Sequence, residues 1–233
     1  LTPSQLPSVF QPIVDLKTGK VFANEALVRC NHPAFTSPLG LFQHAVLEGT
    51  CGQLGRSIRE GLFERCPPTA IFVNLHPHEL QAPWLVRPDD PICFHEHPVY
   101  LEVTESATLD YFDLCKSVLK EVCARTGAFL VVDDLGAGYS NLMRVIELEP
   151  SVVKLDRELI TGIDESKRKR ILVRYLVEMC QQLGAQVVGE GIETLDELSA
   201  LRDCGADFGQ GYLLARPSDP PPPVRWPFAR END

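Results

Sequence analysis

Acidic and polar residues recur in this chain where an apolar run ends. Asp133 and Asp134 follow Phe129-Leu130-Val131-Val132, Glu102 interrupts Val99 to Val103, and Glu190 closes Ala185 to Gly189. Asn74 stands near the end of Ala70 to Leu75, Lys154 and Asp156 at the end of Ser151 to Leu155, and Gln210 within Asp207 to Leu214. Buried strands that end in carboxylates deliver them to a shared site. Two unit charges about 4 Å apart repel by roughly 4 kcal/mol at an effective dielectric near 20. The Asp133-Asp134 pair therefore invites a bound cation. Side chains alternate along a strand, so both aspartates reach one ligand only if the strand ends between them and the backbone turns. The alternative is an aspartate turn in which one residue caps the next helix.

The elements that must position these groups alternate along the chain. Ser8 to Leu16 and Val21 to Arg29 flank Lys17-Thr18-Gly19-Lys20, the pattern of an antiparallel hairpin. Glu25, Leu27 and Arg29 share one face by the two-residue period, which sets an acid and a base the same way or makes them a buried ion pair. Helical patterns cover Leu41 to Cys66, Tyr111 to Thr126, Ser166 to Leu183 and Asp196 to Asp203, with the apolar strands between them. Asp207 to Leu214 reads as a last strand with Gln210 and Tyr212 on one face. Strands separated by helices predict a parallel sheet, and polar residues at successive strand ends predict a closed α/β barrel with its chemistry at the C-terminal rim.

Composition narrows the partners. The 233 residues are 44% hydrophobic, enough for one large barrel, and 22 Lys plus Arg against 32 Asp plus Glu give a net charge of −10. That balance argues against a nucleic-acid polymer or an anionic membrane surface, although a bound metal would still admit a small anionic ligand. The 8 cysteines form no CxxC pair and follow no leader or long apolar span, so they are expected as reduced thiols of a cytoplasmic protein. Pro220 to Pro223 predict a stiff C-terminal tail that stays out of the core, giving a domain over 1–217 and a Pro-rich tail over 218–233.

Eight motifs in order carry a resemblance. They are Gln11-Pro12-Ile13-Val14, Glu25-Ala26-Leu27-Val28-Arg29, Val73-Asn74-Leu75, Leu101-Glu102-Val103-Thr104-Glu105, Asp133-Asp134-Leu135-Gly136-Ala137-Gly138-Tyr139-Ser140, Lys154-Leu155-Asp156-Arg157, Gly189-Glu190-Gly191-Ile192-Glu193-Thr194 and Gln210-Gly211-Tyr212. With these the chain resembles the EAL-domain family of cyclic di-GMP phosphodiesterases. The resemblance implies a modified (β/α)8 TIM-like barrel whose first strand is antiparallel. It also implies hydrolysis of cyclic di-GMP to linear pGpG with two divalent cations, Mg²⁺ or Mn²⁺. Position by position, Glu25, Asn74, Glu102 and Asp133 match holders of the first cation. Asp133 would bridge to a second cation held with Asp134, and Glu190 would help position water. Lys154 matches the lysine that orients or deprotonates the attacking water. Gln11, Arg29, Asp156 and Gln210 match substrate-binding positions, and Glu105 the glutamate that anchors the loop after the paired aspartates. A homodimer, and fusion to or regulation by a sensory or diguanylate-cyclase module, are implied in the same way. A start at Leu1 without methionine suits a piece of a longer chain.

Such chemistry needs this set. Phosphodiester hydrolysis at neutral pH requires an activated water and relief of charge on the phosphate oxygens, which paired cations with hard oxygen ligands supply. Arg29 would add charge-assisted bonds to a phosphate. The second function class is a catalytically silent cyclic di-GMP receptor, but such members lose metal ligands and here every position is filled. The loop after the paired aspartates departs from the family's DFGTGYSS at Leu135, Ala137 and Asn141, which predicts weaker ordering of the loop with the site retained. His76 reads as a loop histidine or a donor behind Asn74. His95 and His97 lack the helical spacing of a zinc site, and Lys167 to Arg170 reads as a solvated basic face or a partner contact.

Overall fold

Alternation of large apolar and polar residues gives each strand of this chain two different faces. The computed structural model describes residues 5–35, 37–81, 85, 87–104, 112–137 and 142–228. Strands β1 (Ser8–Asp15), β2 (Val21–Val28), β3 (Ile71–Asn74), β4 (Val99–Thr104), β5 (Phe129–Leu135), β6 (Val152–Leu155), β7 (Gln186–Gly189) and β8 (Phe208–Gly209) close into a barrel in chain order. β1 is antiparallel to both neighbours, β2 and β8, and every other adjacent pair is parallel. This is the expected modified (β/α)8 barrel, with β1–β2 as the expected hairpin. Helices α1 (Pro38–Leu47) and α2 (Cys51–Phe63) connect β2 to β3, while α3 (Phe112–Thr126) and α4 (Leu142–Leu148) follow β4 and β5. Helices α5 (Arg157–Ile160) and α6 (Lys167–Gln182) follow β6, and α7 (Leu195–Asp203) follows β7.

One strand face builds the outer core and the other the barrel's interior. Val73, Leu101, Val132, Val153 and Val187 join the large cluster with helix residues such as Leu62, Leu119, Val177 and Leu201. The interior cluster takes one residue from each strand: Ile13, Ala23, Phe72, Tyr100, Val131, Val152, Val188 and Phe208. Phe22 stacks on Phe208 at a ring separation of 3.9 Å and meets Tyr100 edge-on at 5.5 Å, adding aromatic area to this plug. Two residues further along each strand, on the same face, come Glu25, Asn74, Glu102, Asp133, Lys154, Glu190 and Gln210, and on the reversed β1 Gln11. The polar ring therefore sits directly on an apolar floor.

Two expectations are corrected and a third is sharpened. β5 does not stop between the aspartates: it runs on to Leu135 through a register shift between Val132 and Leu135, with Asp134 at φ 59°. A bulge re-aims the side chain where a strand end was expected, and Asp tolerates the left-handed region better than most residues. β8 covers only Phe208–Gly209, not Asp207 to Leu214. Past Gln210 the loop after β7 lies so close that any Cβ on Gly211 would strike the Ile192 backbone, and Ala215 N–H closes a turn onto Gly211 O at 3.0 Å.

The proline-rich tail, third, stays out of the buried core but packs against its outside instead of standing free. Ser218 pairs with Phe10, Arg225 N–H donates to Leu214 O at 2.9 Å, and Val224, Trp226 and Phe228 pack against the main cluster. The Arg202 guanidinium lies 4.3 Å from the Phe228 ring centre. Prolines forbid ladder hydrogen bonds, but an extended strap laid on the surface needs few of them, and its apolar side chains supply the contact. Among the described residues no helix is long and apolar enough to cross a membrane, and all 8 cysteines are free.

Candidate functional site

The floor residues fix the polar ring's height, and Lys154 fixes its centre. Its Nζ lies 2.6 Å from Glu190 Oε1, 2.8 Å from Glu102 Oε1, 3.2 Å from Asp133 Oδ1 and 3.5 Å from Glu25 Oε2. Around it, Asn74 Nδ2 donates to Glu25 Oε1 at 3.2 Å, and Gln210 Nε2 donates to Glu25 Oε2 at 2.7 Å and to Gln11 Oε1 at 3.2 Å. Gln11 Nε2 in turn donates to Ala215 O at 3.1 Å. Seven of the eight ring positions are thus in direct contact through Glu25 and Lys154, and Gln11 joins through Gln210. The bulge brings Asp134 in as well, since ligand oxygens of Asp133, Asp134 and Glu190 lie within 4.8 Å of one another.

One lysine cannot neutralise this many acids. Burial, with Glu25 and Asp133 nearby, holds the Glu102 carboxyl well above the usual range despite Lys154. Burial and the Asp133 charge push Asp134 up to about 6, and burial raises Glu190 to about 8 although Lys154 opposes it. For Lys154 burial favours the neutral amine, but Asp133, Glu102, Glu190 and Glu25 outweigh it and keep the group charged. Oε2 of Glu102 is buried without a hydrogen-bond partner, and Oε1 of Glu102 and Oδ1 of Asp133 are buried with the shared Lys154 ammonium, at 2.8 and 3.2 Å, beside them. Buried, unsatisfied carboxylate oxygens with amide oxygens beside them are the donor set that hard divalent cations take, so these residues fit Mg²⁺ or Mn²⁺.

A stability test follows from the raised carboxyls. Asp134 and Glu190 bind protons more tightly folded than unfolded, so their contribution is present below the ordinary carboxylate range and lost as pH rises through about 6 and about 8. In chelator the melting temperature is expected to be lower at about pH 8.5 than at about pH 5, and divalent cations should shrink the difference. Equal melting temperatures at both pH values would show that the ring is not strained by its own charge.

Beside the ring opens a groove of about 260 Å³, lined by Gln11, Glu25, Asp134, Asp156, Glu190 and Gln210, together with Arg157, Glu193 and Tyr212. Arg157 and Glu193 stand in two of the eight motifs, one and three residues beyond predicted rim positions, with no role legible for them in the sequence. Asp156 combines that lining with an N-cap, its Oδ1 accepting Glu158 N–H at 2.7 Å. Arg29 is not in the groove. It is exposed just beyond β2, its Nη1 donating to Val28 O at 3.1 Å, so the buried Glu25–Arg29 pair does not form. Glu105, Gly138, Tyr139, Ser140 and Asn141 lie outside the described residues.

The histidines serve packing. His76 stacks on Phe42 with 5.1 Å between rings and places Nδ1 3.4 Å from Cys51 Sγ, where burial lowers its pKa. It is neither a solvated loop residue nor a donor behind Asn74. His95 packs against Phe63 with Nδ1 3.7 Å from Cys66 Sγ. In the basic run, Lys169 Nζ donates to Glu158 O at 2.7 Å and Thr161 O at 2.6 Å. The buried Arg59 bridges Glu79 at 2.6 Å and Asp90 at 2.9 Å, an ion cluster that sequence periodicity does not reveal and that ties the turns after β3 to α2.

The model of the EAL domain matches residues 2–217. NbdA of Pseudomonas aeruginosa, a cyclic di-GMP phosphodiesterase, is 32% identical over 93% of this chain and 29% of its own length. Among solved structures, the calcium and cy-diGMP complex of BlrP1 from Klebsiella pneumoniae has a TM-score of 0.76 at 31% identity, covering 93% of this chain and 57% of that one. The c-di-GMP complex of the PaMucR phosphodiesterase has a TM-score of 0.77 at 28% identity, covering 92% of each chain. The chain spans under a third of the length of NbdA and of two further curated relatives, at 29%, 31% and 27%.

Proposed function

The chain belongs to the EAL domain family, and we propose that it hydrolyses cyclic di-GMP to linear pGpG in a reaction dependent on divalent cations. The observation that carries this reading is the polar ring itself: one residue from, or just past, each strand gathered about Lys154, with Glu102 Oε2 left without a partner and Glu102 Oε1 and Asp133 Oδ1 sharing one ammonium. Glu25, Asn74, Glu102, Asp133, Asp134 and Glu190 would hold two cations, Mg²⁺ or Mn²⁺. When bound, these supply Lewis acidity toward the phosphate oxygens and lower the pKa of water.

The chain's own residues do the rest. Asn74 and Gln210 fix both oxygens of Glu25, so this carboxylate needs no reorganisation before substrate arrives. Lys154 would meet the attacking water: charged, as its four carboxylate neighbours keep it, it orients the water, and it would accept the proton only where bound cations take over those carboxylates and lower its pKa. Glu190, 2.6 Å from Lys154, would help position that water. The water oxygen bonds to phosphorus, the bond from phosphorus to the ribose 3′-oxygen breaks, and the leaving oxygen takes up a proton. Gln11, Gln210 and Asp156 border the groove that would seat the dinucleotide, and Arg29, outside it, would reach a phosphate from the rim.

Incubation with cyclic di-GMP and either Mg²⁺ or Mn²⁺ should yield pGpG by chromatography, and chelator should stop the reaction. Substrate that stays intact but bound after prolonged incubation would replace the enzyme with a receptor. Control by a fused sensory or diguanylate-cyclase module and assembly as a homodimer belong to the same proposal.

A further inference from the structure

The loop after β7 carries Glu190, and backbone hydrogen bonds anchor its first residues. Glu190 N–H donates to Leu155 O at 3.1 Å and Ile192 N–H to Gln210 O at 3.1 Å. Beyond them lies a buried carboxylate on α7: Oε2 of Glu197 accepts Glu193 N–H at 2.9 Å and Thr194 N–H at 3.0 Å, while Oε1 accepts Gly162 N–H at 2.9 Å. A capping box explains only part of this. The box joins Thr194 Oγ1 to Glu197 N–H and the Glu197 carboxylate to Thr194 N–H. Glu193 lies outside the helix, and Gly162 belongs to the loop after α5, 35 residues away from Glu197.

We propose that Glu197 is a positioning residue for Glu190, its carboxylate clamping the β7–α7 loop against the segment that follows α5. That segment is braced in its turn, because Lys169 Nζ donates to Glu158 O and Thr161 O at either end of the short helix. Arg157 at the start of α5 packs its side chain over Gly191, the residue after Glu190. Glu197 thus completes a ring of contacts from Glu190 through Gly191, α5 and Gly162 back to Glu193. Burial by itself would raise the Glu197 carboxyl, but the three N–H groups hold it below the usual range, so it stays charged in the clamp.

The relevance of this clamp rests on the function proposed above, but amide exchange and Mn²⁺ affinity test it without turnover. Glu197→Gln keeps the shape and turns an NH₂ toward N–H groups, while Thr194→Ala removes the other half of the capping box and leaves the loop contacts. Amide exchange of Gly162 and Glu193 in the metal-free protein, and Mn²⁺ affinity by electron paramagnetic resonance, are measured for both. Glu197→Gln should speed the exchange and weaken Mn²⁺ binding about tenfold, with kcat falling more than KM rises, as when a metal ligand loses its support. Thr194→Ala should lower the melting temperature at wild-type Mn²⁺ affinity. Glu197→Asp, which keeps the charge with a shorter reach, should fall between wild type and Glu197→Gln. Unchanged Mn²⁺ affinity in Glu197→Gln, or equal losses in Glu197→Gln and Thr194→Ala, overturns the proposal. A wild type that binds Mn²⁺ but leaves cyclic di-GMP intact sinks the function alone, since the affinity comparison still decides the clamp.

Discussion

Glu25→Ala is expected to lower turnover of cyclic di-GMP by about 10³-fold or more, which corresponds to roughly 4 kcal/mol of lost transition-state stabilisation. Glu25 is the ring's most connected acceptor. Asn74 donates to one of its oxygens at 3.2 Å, Gln210 to the other at 2.7 Å, and Lys154 stands 3.5 Å away. Alanine frees both amide side chains to rotate and removes one proposed ligand of the first cation. The fold should persist, because one of four carboxylates crowding a single lysine disappears and the floor of Phe72, Val131 and Val152 is untouched. Steady-state rates with Mn²⁺ beside thermal melting of the metal-free variant separate the two effects. A wild-type rate would take Glu25 out of the chemistry, and a collapsed melt would make its role structural.

That ring could be found in the sequence because a strand repeats every two residues. Ala23 and Glu25, Phe72 and Asn74, Tyr100 and Glu102, Val131 and Asp133, Val152 and Lys154, Val188 and Glu190, and Phe208 and Gln210 each pair a plug residue with a ring residue. Ile13 and Gln11 repeat the pair in reverse because β1 runs the other way. Local alternation says nothing about departures from a regular strand, and there the sequence was silent. Nothing in Phe129 to Leu135 announces the bulge that turns Asp134 inward. The shortened β8 depends on the approach of Ile192 to Gly211, and the docking of Trp226 on Gly19, which has φ +70°, on an encounter more than two hundred positions apart. Asp156 as a helix cap and Glu197 as a clamp answer to backbone N–H groups whose places exist only once the loops are folded.

Lys154→Met should have the second large effect, and its signature is a divergence between metal-free and metal-loaded protein. The ammonium is buried, with four carboxylates within 3.5 Å. Removing one partner of a buried ion pair costs about 3–5 kcal/mol because the remaining charge is left uncompensated. For a chain of this size that corresponds to a fall in melting temperature of roughly 6–20 °C in chelator. Divalent cations would supply the missing positive charge, so adding Mn²⁺ should stabilise the variant more than it stabilises the wild type. Turnover should still fall by about 10²–10⁴-fold at saturating metal, the range for a group that moves or orients a proton in the reaction. Calorimetry with and without Mn²⁺, run beside rate measurements, distinguishes the two contributions. If the variant melts like the wild type in chelator, the acids are already protonated without their counter-ion. If it melts normally with Mn²⁺ and also keeps its rate, Lys154 holds the ring together but has no part in hydrolysis.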